Sequence, residues 1–491
     1  MTASPAQLPA GFAVEMDQDT RQLSDGSLFG GSPARLLRLT PVGHQALAEL
    51  RAGPVRSAAA AVLARRLTDA GLAHPRPPAD ASRQPLSVTV IIPVRDRAAM
   101  LDRLLSAVGQ SYSVVVVDDG SADPGTIKSI AASHCAELRR HDSCAGPAAA
   151  RNTGLAGVST DVVAFLDSDC VPPADWIENL ALHLADPLVA AVAPRIFPTS
   201  GSTSAGCYEQ AAGSLDLGDR PARVVPATRV AYVPTAALLV RRGALDAVMR
   251  TRQVFDPDLR YGEDVDLVWR LHEAAWRIRY EPAVQVRHEV PADWPALLCR
   301  RFRYGTSAAP LARRHPENMA PLVLQPWPTV TALAMLARKP AIAATGLAAT
   351  WLDLATTVRR AGVPADGAVP ASITSARQTW LGIGRFATQF AAPVLALALV
   401  KPGGATRAQR WGRRAAAASL LLGPPLTAHA QRKPEMNPAA FTLAHVADDV
   451  CYGAGVWAGC LRERTARPLR PAISWRPIPI SRPQATGKDQ D

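Results

Sequence analysis

The sequence predicts an α/β fold with a Rossmann-like parallel or mixed sheet. Short β-branched and aromatic runs alternate with helical segments between residues 87 and 286, and two of the runs, VVVVDDGS and VVAFLDSDC, stop at aspartates. Buried parallel strands read as near-continuous apolar runs, and repeated strand–helix units imply a parallel sheet with right-handed crossovers. Ligands in such sheets bind just beyond the carboxyl ends of the strands.

The predicted elements of this region follow each other closely. Strands are predicted at 87–94, 114–117, 162–166, near 189–196, 230–240 and 278–286, and helices at 97–108, after Pro124, at 146–158 and at 263–275. Four acids follow two of the strands: Asp118, Asp119, Asp167 and Asp169. Carboxylate oxygens suit Mg²⁺ or Mn²⁺ shared with a substrate phosphate. The pattern therefore indicates a nucleotide diphosphate held through a metal.

The chain divides into five parts by composition. We predict a small α+β module at 1–74, a Pro-rich linker at 75–86, the catalytic domain at 87–317, a helical apolar and basic region at 318–464 and a disordered tail at 465–491. Asp-Gly and Gly-Gly turns predict short strands in the first part, and two amphipathic helices follow them. Proline and arginine dominate the last part, which is typical of disorder.

Charge is distributed unevenly along the chain. The net charge is +12, and residues 301–491 hold 24 Lys and Arg against 9 Asp and Glu. Because these basic residues are interleaved with apolar stretches and not with aromatic platforms, they favour anionic lipid headgroups over nucleic acid; a plain solvated surface is the third reading. We therefore expect no nucleic-acid partner and a position at the cytoplasmic face of the cell membrane.

The apolar stretches of the C-terminal region are short. Uncharged runs occupy 318–337, 340–352, 386–400 and 415–431. Most are shorter than the roughly 20 residues that span a bilayer, which favours interfacial or re-entrant helices. Core helices of a soluble domain are the alternative, and a membrane-spanning helix fits best around 386–400. The seven cysteines include no C-x-x-C pair, which indicates a reducing compartment, and no signal peptide is recognisable at the N-terminus.

Four motifs occur in one order: IIPVRDR at 91–97, VVDDGS at 116–121, LDSDC at 166–170 and YGEDVDLVWR at 261–270. With them, residues 87–305 resemble a family-2 glycosyltransferase of the GT-A fold, which joins a nucleotide-diphospho-sugar site to an acceptor site. The resemblance implies an enzyme of the hexosyltransferase kind. A dinucleotide-dependent oxidoreductase is disfavoured, because IIPVRDR lacks the G-x-G-x-x-G pattern.

The resemblance implies that the early strands bind the nucleotide. Pro93 and Arg95 would line the base and ribose. One of Asp118 and Asp119 would accept a hydrogen bond from a uracil or guanine ring; the alternative is an N-cap or turn role. Arg151 would point from its helix toward the base or phosphate, against the alternative of an ordinary surface arginine.

The resemblance also implies a metal and diphosphate site. Asp167-Ser168-Asp169 resembles the D-x-D metal motif of the fold, so both acids belong to the metal site. Asp169 would contact the metal directly, with Asp167 nearer the ribose and His288 near the metal or diphosphate. The metal, Mn²⁺ or Mg²⁺, would neutralise the departing diphosphate. Arg300 and Arg303 would contact the diphosphate. The alternatives are an acidic turn, a structural histidine and a solvated basic helix.

Glu263 and Asp264 resemble the acceptor-side acid pair of the family. Asp264 would act as general base on the acceptor hydroxyl, which implies a single displacement with inversion. Asp266 and Arg270 are assigned structural roles. Two departures from the family pattern stand out: CRRFRYG at 299–305 lacks the Gln and Trp of processive synthases, and Thr235-Ala236-Ala237 replaces a common donor-site Asn.

Over nearly its whole length the chain is similar to the glycosyltransferases of the mycofactocin system. This narrower resemblance implies transfer of glucose, from UDP-glucose and in β-1,4-linked chains, to premycofactocin, a peptide-derived redox cofactor. The N-terminal module would then be a small peptide-binding domain, or else a packing extension of the catalytic domain. Two other functions stay open: a glycosyltransferase for lipid or cell-wall polysaccharide, and a non-enzymatic nucleotide-sugar-binding scaffold.

Overall fold

The computed structural model describes residues 7–79, 86–199, 201, 203–290, 293–360, 368–475 and 480–481. The N-terminal module contains the strands β1 (Ala13–Met16), β2 (Arg21–Gln22), β3 (Leu28–Gly30), β4 (Arg35–Leu37) and β5 (Ala73–Arg76) and the helices α1 (Pro41–Ala52) and α2 (Ala58–Ala70). Thr40 and Ser57 cap the two helices, each side chain accepting a backbone N–H of the first turn. β5 pairs with β1, so residues 73–76 lie in a sheet, while residues 80–85 of the predicted linker lie outside the described residues.

Buried ion pairs attach this module to the rest of the protein. Arg65 on α2 contacts Asp186 at 2.7 Å, and both side chains are almost wholly buried. Asp69 accepts two hydrogen bonds from Arg277, at 2.7 and 2.8 Å. Removing one partner of a buried ion pair costs about 3–5 kcal/mol of stability, because the other charge is left without a partner. These contacts support the reading of the module as a packing extension of the catalytic domain.

The central domain is built on a mixed sheet. Its strands are β6 (Val88–Val94), β7 (Ser113–Asp119), β8 (Glu137–His141), β9 (Val162–Leu166), β10 (Cys170–Val171), β11 (Val189–Pro198), β12 (Ala222–Arg223), β13 (Ala237–Arg241) and β14 (Arg277–His288). Its helices are α3 (Ala98–Val108), α4 (Pro124–Ser133), α5 (Pro147–Leu155), α6 (Trp176–Ala181), α7 (Ser204–Ala212), α8 (Arg242–Ala247), α9 (Glu263–Glu273), α10 (Trp294–Thr306) and α11 (Ala308–Arg314). In the described chain the sheet order is β10-β14-β11-β13-β9-β6-β7-β8, and β12 pairs with β14.

The order of the strands positions the site. β6 pairs in parallel with both β7 and β9, so the carboxyl ends of these three strands share one edge. β13 is antiparallel to its neighbours β9 and β11, which makes the sheet mixed. Buried apolar clusters cover both faces. The α/β prediction is confirmed. The strand expected at 230–240 covers only Ala237–Arg241, and the prediction does not include β8, β10 and β12.

The C-terminal region is helical. It contains β15 (Val323–Leu324), α12 (Pro326–Leu336), α13 (Pro340–Arg360), α14 (Ala368–Val400), α15 (Arg407–Arg432), α16 (Pro438–Arg462), β16 (Ala472–Ile473) and β17 (Ile480–Ser481). α16 packs closely on α10 through glycines, because a Cβ on Gly455 would lie 1.9 Å from the Phe302 carbonyl oxygen. The region is therefore joined to the catalytic domain backbone against backbone.

α14 is the one helix of the described chain that is long and apolar enough to cross a membrane, and it contains the stretch 386–400 predicted for that role. Only 17% of its most apolar window is buried in the protein. The expectation of disorder after residue 464 does not hold for the described part of the tail. β16 pairs with β15, and β17 pairs with β4; residues 476–479 and 482–491 lie outside the described residues.

Candidate active site

Two acids at the end of β7 organise the loops around it. Asp118 is fully buried, accepts the Ser121 N–H at 2.9 Å and pairs with Arg140. Asp119 accepts the backbone N–H groups of residues 145 and 146 at 2.8 and 2.9 Å, and it also bonds His141 and the Cys144 thiol. Burial raises the pKa of Asp119, but these hydrogen bonds outweigh burial and leave it below its usual value. In the structure both carboxylates therefore bond the protein itself.

The loop after β6 lies beside the loop after β7. Asp96 adopts a left-handed conformation with φ of 54°, its N–H donates to the Ser121 hydroxyl at 2.9 Å, and its carboxylate accepts the Ala122 N–H at 2.7 Å. Pro93 is half-buried at the end of β6. Arg95 is more than half exposed, and its guanidinium lies 3.5 Å from the Asp96 carboxylate. Both residues predicted for the base and ribose thus lie at the edge where β6 and β7 end.

Arg151 on α5 links the two acid motifs. Its guanidinium is buried, and it donates to Asp167 at 2.6 Å and to Glu263 at 2.7 Å. It also lies 5.7 Å from the centre of the Phe255 ring. Burial lowers the pKa of this arginine, but Asp167 and Glu263 more than offset burial and raise it. Arg151 thus lies between the two acids, and its predicted contact with the base or phosphate stays a prediction.

Asp169 and His288 come together at the end of the sheet. β10 and β14 place Cys170 opposite His288, and the His288 Nε2 lies 3.5 Å from the Asp169 Oδ2. Arg97 forms an ion pair with the same oxygen. Burial raises the pKa of Asp169, but His288 and Arg97 outweigh it and hold the pKa well below its usual range. Asp169 is therefore ionised across the physiological pH range.

The acid pair of the acceptor motif begins α9. Gly262 has a φ of 84°, and a Cβ there would lie 3.0 Å from Leu311 and Ser307, so the turn requires glycine. Glu263 is buried; burial and the neighbouring Asp264 raise its pKa, although Arg151 opposes them. The two adjacent acids differ in their contacts: among the described residues, Glu263 forms an ion pair with Arg151 and Asp264 forms none.

Asp264 is the unpaired member of the acid pair. Among the described residues it has no basic partner within ion-pair distance, and its carboxylate accepts one hydrogen bond, from the Val265 N–H at 2.8 Å. Its side chain is only partly buried. Burial nevertheless raises its pKa, with the Val265 N–H and Arg151 opposing the shift. A partly exposed carboxylate with a raised pKa and a free oxygen can accept a proton from a neighbouring hydroxyl.

The remaining predicted residues have structural or exposed positions. Arg300 donates to the buried Glu209 at 2.5 Å, and Arg303 is exposed without an ion pair among the described residues. Asp266 pairs with Arg270 at 2.8 Å, in the structural role predicted for both. No group of three His, Cys, Asp or Glu side chains in the described chain is arranged to hold a metal alone. Asp169 thus lies beside His288, and Asp167 accepts a hydrogen bond from Arg151.

Sequence reasoning missed three residues that contact the predicted acids. Arg97 pairs with Asp169 and lies inside the quoted motif IIPVRDR, so the motif itself was the signal. Arg140 and His141 hold Asp118 and Asp119 from β8. Because that strand is polar and lies at the sheet edge, no apolar pattern marked it.

Comparison with known proteins identifies the family of this chain. The family profile described as "Glycosyl transferase family 2" matches residues 89–247. Two curated sequences from strains of Mycobacterium tuberculosis, both described as "Pre-mycofactocin glycosyltransferase", are 40% identical over 494 residues, covering 96% of this chain and 100% of theirs. "Glycosyltransferase AglE" of Haloferax volcanii is 30% identical over 236 residues, 44% of this chain and 71% of its own.

A solved mannosyltransferase from Pyrobaculum calidifontis, in complex with GDP-Man and Mn²⁺, is 22% identical, covers 68% of this chain and 87% of its own, and has a TM-score of 0.37. A likeness of that degree supports no inference about donor or metal. The full-length identity to the mycobacterial sequences, together with the family profile over the sheet, is decisive. The chain therefore belongs to the family-2 glycosyltransferases and is a glycosyltransferase.

Proposed function

We propose that this glycosyltransferase moves glucose from UDP-glucose to premycofactocin, a peptide-derived cofactor, and extends it in β-1,4-linked units. The observation that carries the proposal is the 40% identity to the mycobacterial pre-mycofactocin glycosyltransferases, which extends over 96% of this chain. The N-terminal module and the C-terminal helices fall within that match. The Haloferax volcanii glycosyltransferase, in contrast, matches less than half of the chain.

The chemical step is a single displacement with inversion. Asp264 removes the proton of the acceptor hydroxyl as that oxygen bonds the anomeric carbon, and the bond from this carbon to the diphosphate oxygen breaks. The support is the state of Asp264, which has a raised pKa and a free oxygen, whereas Glu263 is held by Arg151. Arg151 thereby distinguishes two adjacent carboxylates and leaves one of them to act as base.

The residues at the end of β9 fit a divalent cation. Mg²⁺ and Mn²⁺ in such sites take one or two carboxylates and complete their shell with water and substrate phosphates. Asp169 is ionised and lies 3.5 Å from His288, so these two would hold the ion, and Asp167 would face the ribose. When bound, the ion supplies positive charge to the departing diphosphate. Arg97 would have to leave Asp169, and it could then pair with the diphosphate.

The nucleotide would lie over the ends of β6 and β7. We assign the base and ribose to Pro93 and Arg95, whose positions at this edge fit the role. A direct bond from Asp118 or Asp119 to the base stays a prediction, and it requires that one present partner be exchanged. The diphosphate contacts of Arg300 and Arg303 also stay predictions; Arg303 is the freer of the two, because Glu209 already holds Arg300.

We also propose that the C-terminal helices bind the cytoplasmic face of an anionic membrane. Most exposed large apolar side chains of the described chain lie between residues 323 and 475, among them Trp327, Met335, Leu397, Trp411 and Trp457. The same region carries the basic excess of the sequence. Apolar side chains flanked by basic ones suit an interface of headgroups and acyl chains. Cosedimentation with phosphatidylglycerol vesicles that weakens with salt is expected; equal binding to neutral vesicles would contradict the charge argument.

The proposed membrane-binding surface of the C-terminal helices favours one alternative function, transfer of the sugar to a lipid or cell-wall acceptor. Product analysis separates the two: the purified protein is incubated with UDP-glucose and Mn²⁺, with either premycofactocin or a lipid extract as acceptor, and the products are weighed by mass spectrometry. Hexose added to premycofactocin, and lost with chelator, is expected. Transfer to lipid alone would refute the proposed acceptor. Neither transfer nor donor hydrolysis would point to a nucleotide-sugar-binding scaffold.

A further inference from the structure

Four tyrosines cluster beside the proposed base: Tyr232, Tyr261, Tyr304 and Tyr452, called here the tyrosine face. The Tyr261 ring contacts that of Tyr304 edge to face, with centroids 6.4 Å apart. Tyr304 is placed by the junction of α10 and α11, because Ser307 touches the turn at Gly262 and donates its hydroxyl to the Tyr304 carbonyl at 2.7 Å. The turn that begins α9 therefore holds two of the rings next to Asp264.

A third ring is held by α9 itself. The Trp269 indole N–H donates to the carbonyl of Ala231 at 2.9 Å, which ties the segment before Tyr232 to this helix. Asp264 is close enough to both Tyr232 and Tyr304 to contribute to raising the pKa of each phenol, after the larger effect of burial. Both phenols are consequently neutral at physiological pH and able to donate a hydrogen bond.

The fourth ring comes from outside the catalytic domain. Tyr452 lies on α16, and its phenol is near enough to Tyr232 to contribute to raising the pKa of that residue. Its carbonyl oxygen would be only 2.1 Å from a Cβ on Gly305, the residue after Tyr304. Gly455 permits the same close approach against Phe302. Since α10 and α16 contact backbone to backbone, the C-terminal region has little freedom to move Tyr452 away from the site.

The hydroxyls of the tyrosine face have no protein partner in the described chain. All four residues are half-buried, yet none of their hydroxyls is sealed from solvent. The other three tyrosines, Tyr112, Tyr208 and Tyr280, donate to Glu178, Asp448 and the Gly218 carbonyl at 2.5, 3.0 and 2.5 Å. Because a buried phenol normally has a hydrogen-bond partner in the protein, four hydroxyls that are open to solvent and bond no protein group are available to a ligand. Four together indicate a ligand surface.

The charges around the tyrosine face are balanced. Arg300 is paired with Glu209 at 2.5 Å, and Arg301 with Asp448 at 2.5 Å. Asp264 is the remaining uncompensated charge of the described residues that contribute to the face. A ligand there gains from ring stacking and hydroxyl hydrogen bonds, and the two arginines whose charges act on Tyr304, Arg300 and Arg301, are already paired with acids. These properties select a neutral ring that carries hydroxyls.

We propose that the tyrosine face, completed by Tyr452 of α16, binds the acceptor and holds a neutral hydroxyl-bearing ring, the terminal sugar of the growing chain, against Asp264. This rests on the proposed function for the direction of transfer. Aromatic faces cover the apolar side of a pyranose, while phenol hydroxyls bond its rim. The C-terminal region would then be part of acceptor recognition in addition to any membrane attachment.

The test removes single hydroxyls and keeps the rings. Tyr232→Phe and Tyr452→Phe are compared with the wild type and with Tyr112→Phe, a tyrosine bonded elsewhere on the surface. KM is measured for UDP-glucose and for two acceptors, premycofactocin and methyl β-D-glucopyranoside. Each hydroxyl lost from the face should raise both acceptor KM values about tenfold, the usual worth of one hydrogen bond. The donor KM should not change, and the control should match the wild type.

The outcomes separate this proposal from the proposed function. Unchanged acceptor KM values in both variants, or a parallel rise in the donor KM, would overturn the tyrosine face. If the wild type glucosylates the methyl glucoside but not premycofactocin, the proposed acceptor is wrong. The KM of each variant for the methyl glucoside, divided by that of the wild type, then still tests whether the tyrosine face binds the acceptor. Failure of the wild type to glucosylate either acceptor would overturn the tyrosine face as an acceptor site. Melting temperatures within 2 °C of the wild type, roughly the effect of a sub-kcal/mol change, show that the variants are folded.

Discussion

Asp264→Asn tests the assignment of the base most directly. The amide oxygen of asparagine can still accept the Val265 N–H, and no ion pair is broken, because Asp264 has none among the described residues. The substitution also removes a charge that raises the pKa of Glu263. The variant should therefore be as stable as the wild type, or slightly more stable, which makes a loss of activity interpretable.

The expected loss follows from the role of a general base. A positioned base contributes about 10²- to 10⁴-fold to the rate, so kcat should fall by that factor while the affinity for UDP stays within about twofold. The assay follows UDP release with premycofactocin as acceptor, and calorimetry measures UDP binding. Asp258→Asn, a change at an exposed acid four residues before Gly262, is the matched control and should behave as the wild type.

The pH profile adds a second readout. A base acts when deprotonated, so the wild-type rate should fall with acidification through the pKa of Asp264. Because burial raises that pKa, the fall should begin above the value near 3.9 of an exposed aspartate. The variant should lose this limb. A variant that keeps more than about a third of wild-type kcat, or that keeps the acid limb, would refute the assignment of Asp264 as base.

Three further predictions concern stability. Arg151→Met should cost about 3–5 kcal/mol in urea unfolding, because it leaves two acids without their shared partner; a loss below about 1 kcal/mol would contradict this. Asp119→Asn should lose about 2 kcal/mol at pH 7. Since the folded pKa of Asp119 is lowered, its contribution is present above the unfolded pKa near 3.9 and is lost as pH falls through the folded value, so the variant should lose less stability on acidification than the wild type. Gly455→Ala should lower the melting temperature by an overpacking cost of about 1–3 kcal/mol, whereas Gly243→Ala, in open space, should not.

Much of the fold was readable from local pattern. The strands that carry the nucleotide motifs are buried except at Ser113 and Pro93, and burial on both faces produces the apolar runs that mark them. β8 was missed because an edge strand such as Glu137–His141 keeps polar side chains. α16 was not among the predicted runs, because Asp448 and Asp449 interrupt its apolar sequence; their partners Arg301 and Arg385 lie far away in the chain.

The sequence by itself determined the chemistry available to this protein: acids after β7 and β9, an acid pair at the start of α9, and a C-terminal region that is both basic and apolar. Only the tertiary structure decided how those acids differ. Arg151 comes from a separate helix to hold Glu263, and no base holds Asp264 among the described residues. The physical reason is that a carboxylate's pKa depends on burial and on charges within a few ångströms, which residues distant in the chain supply.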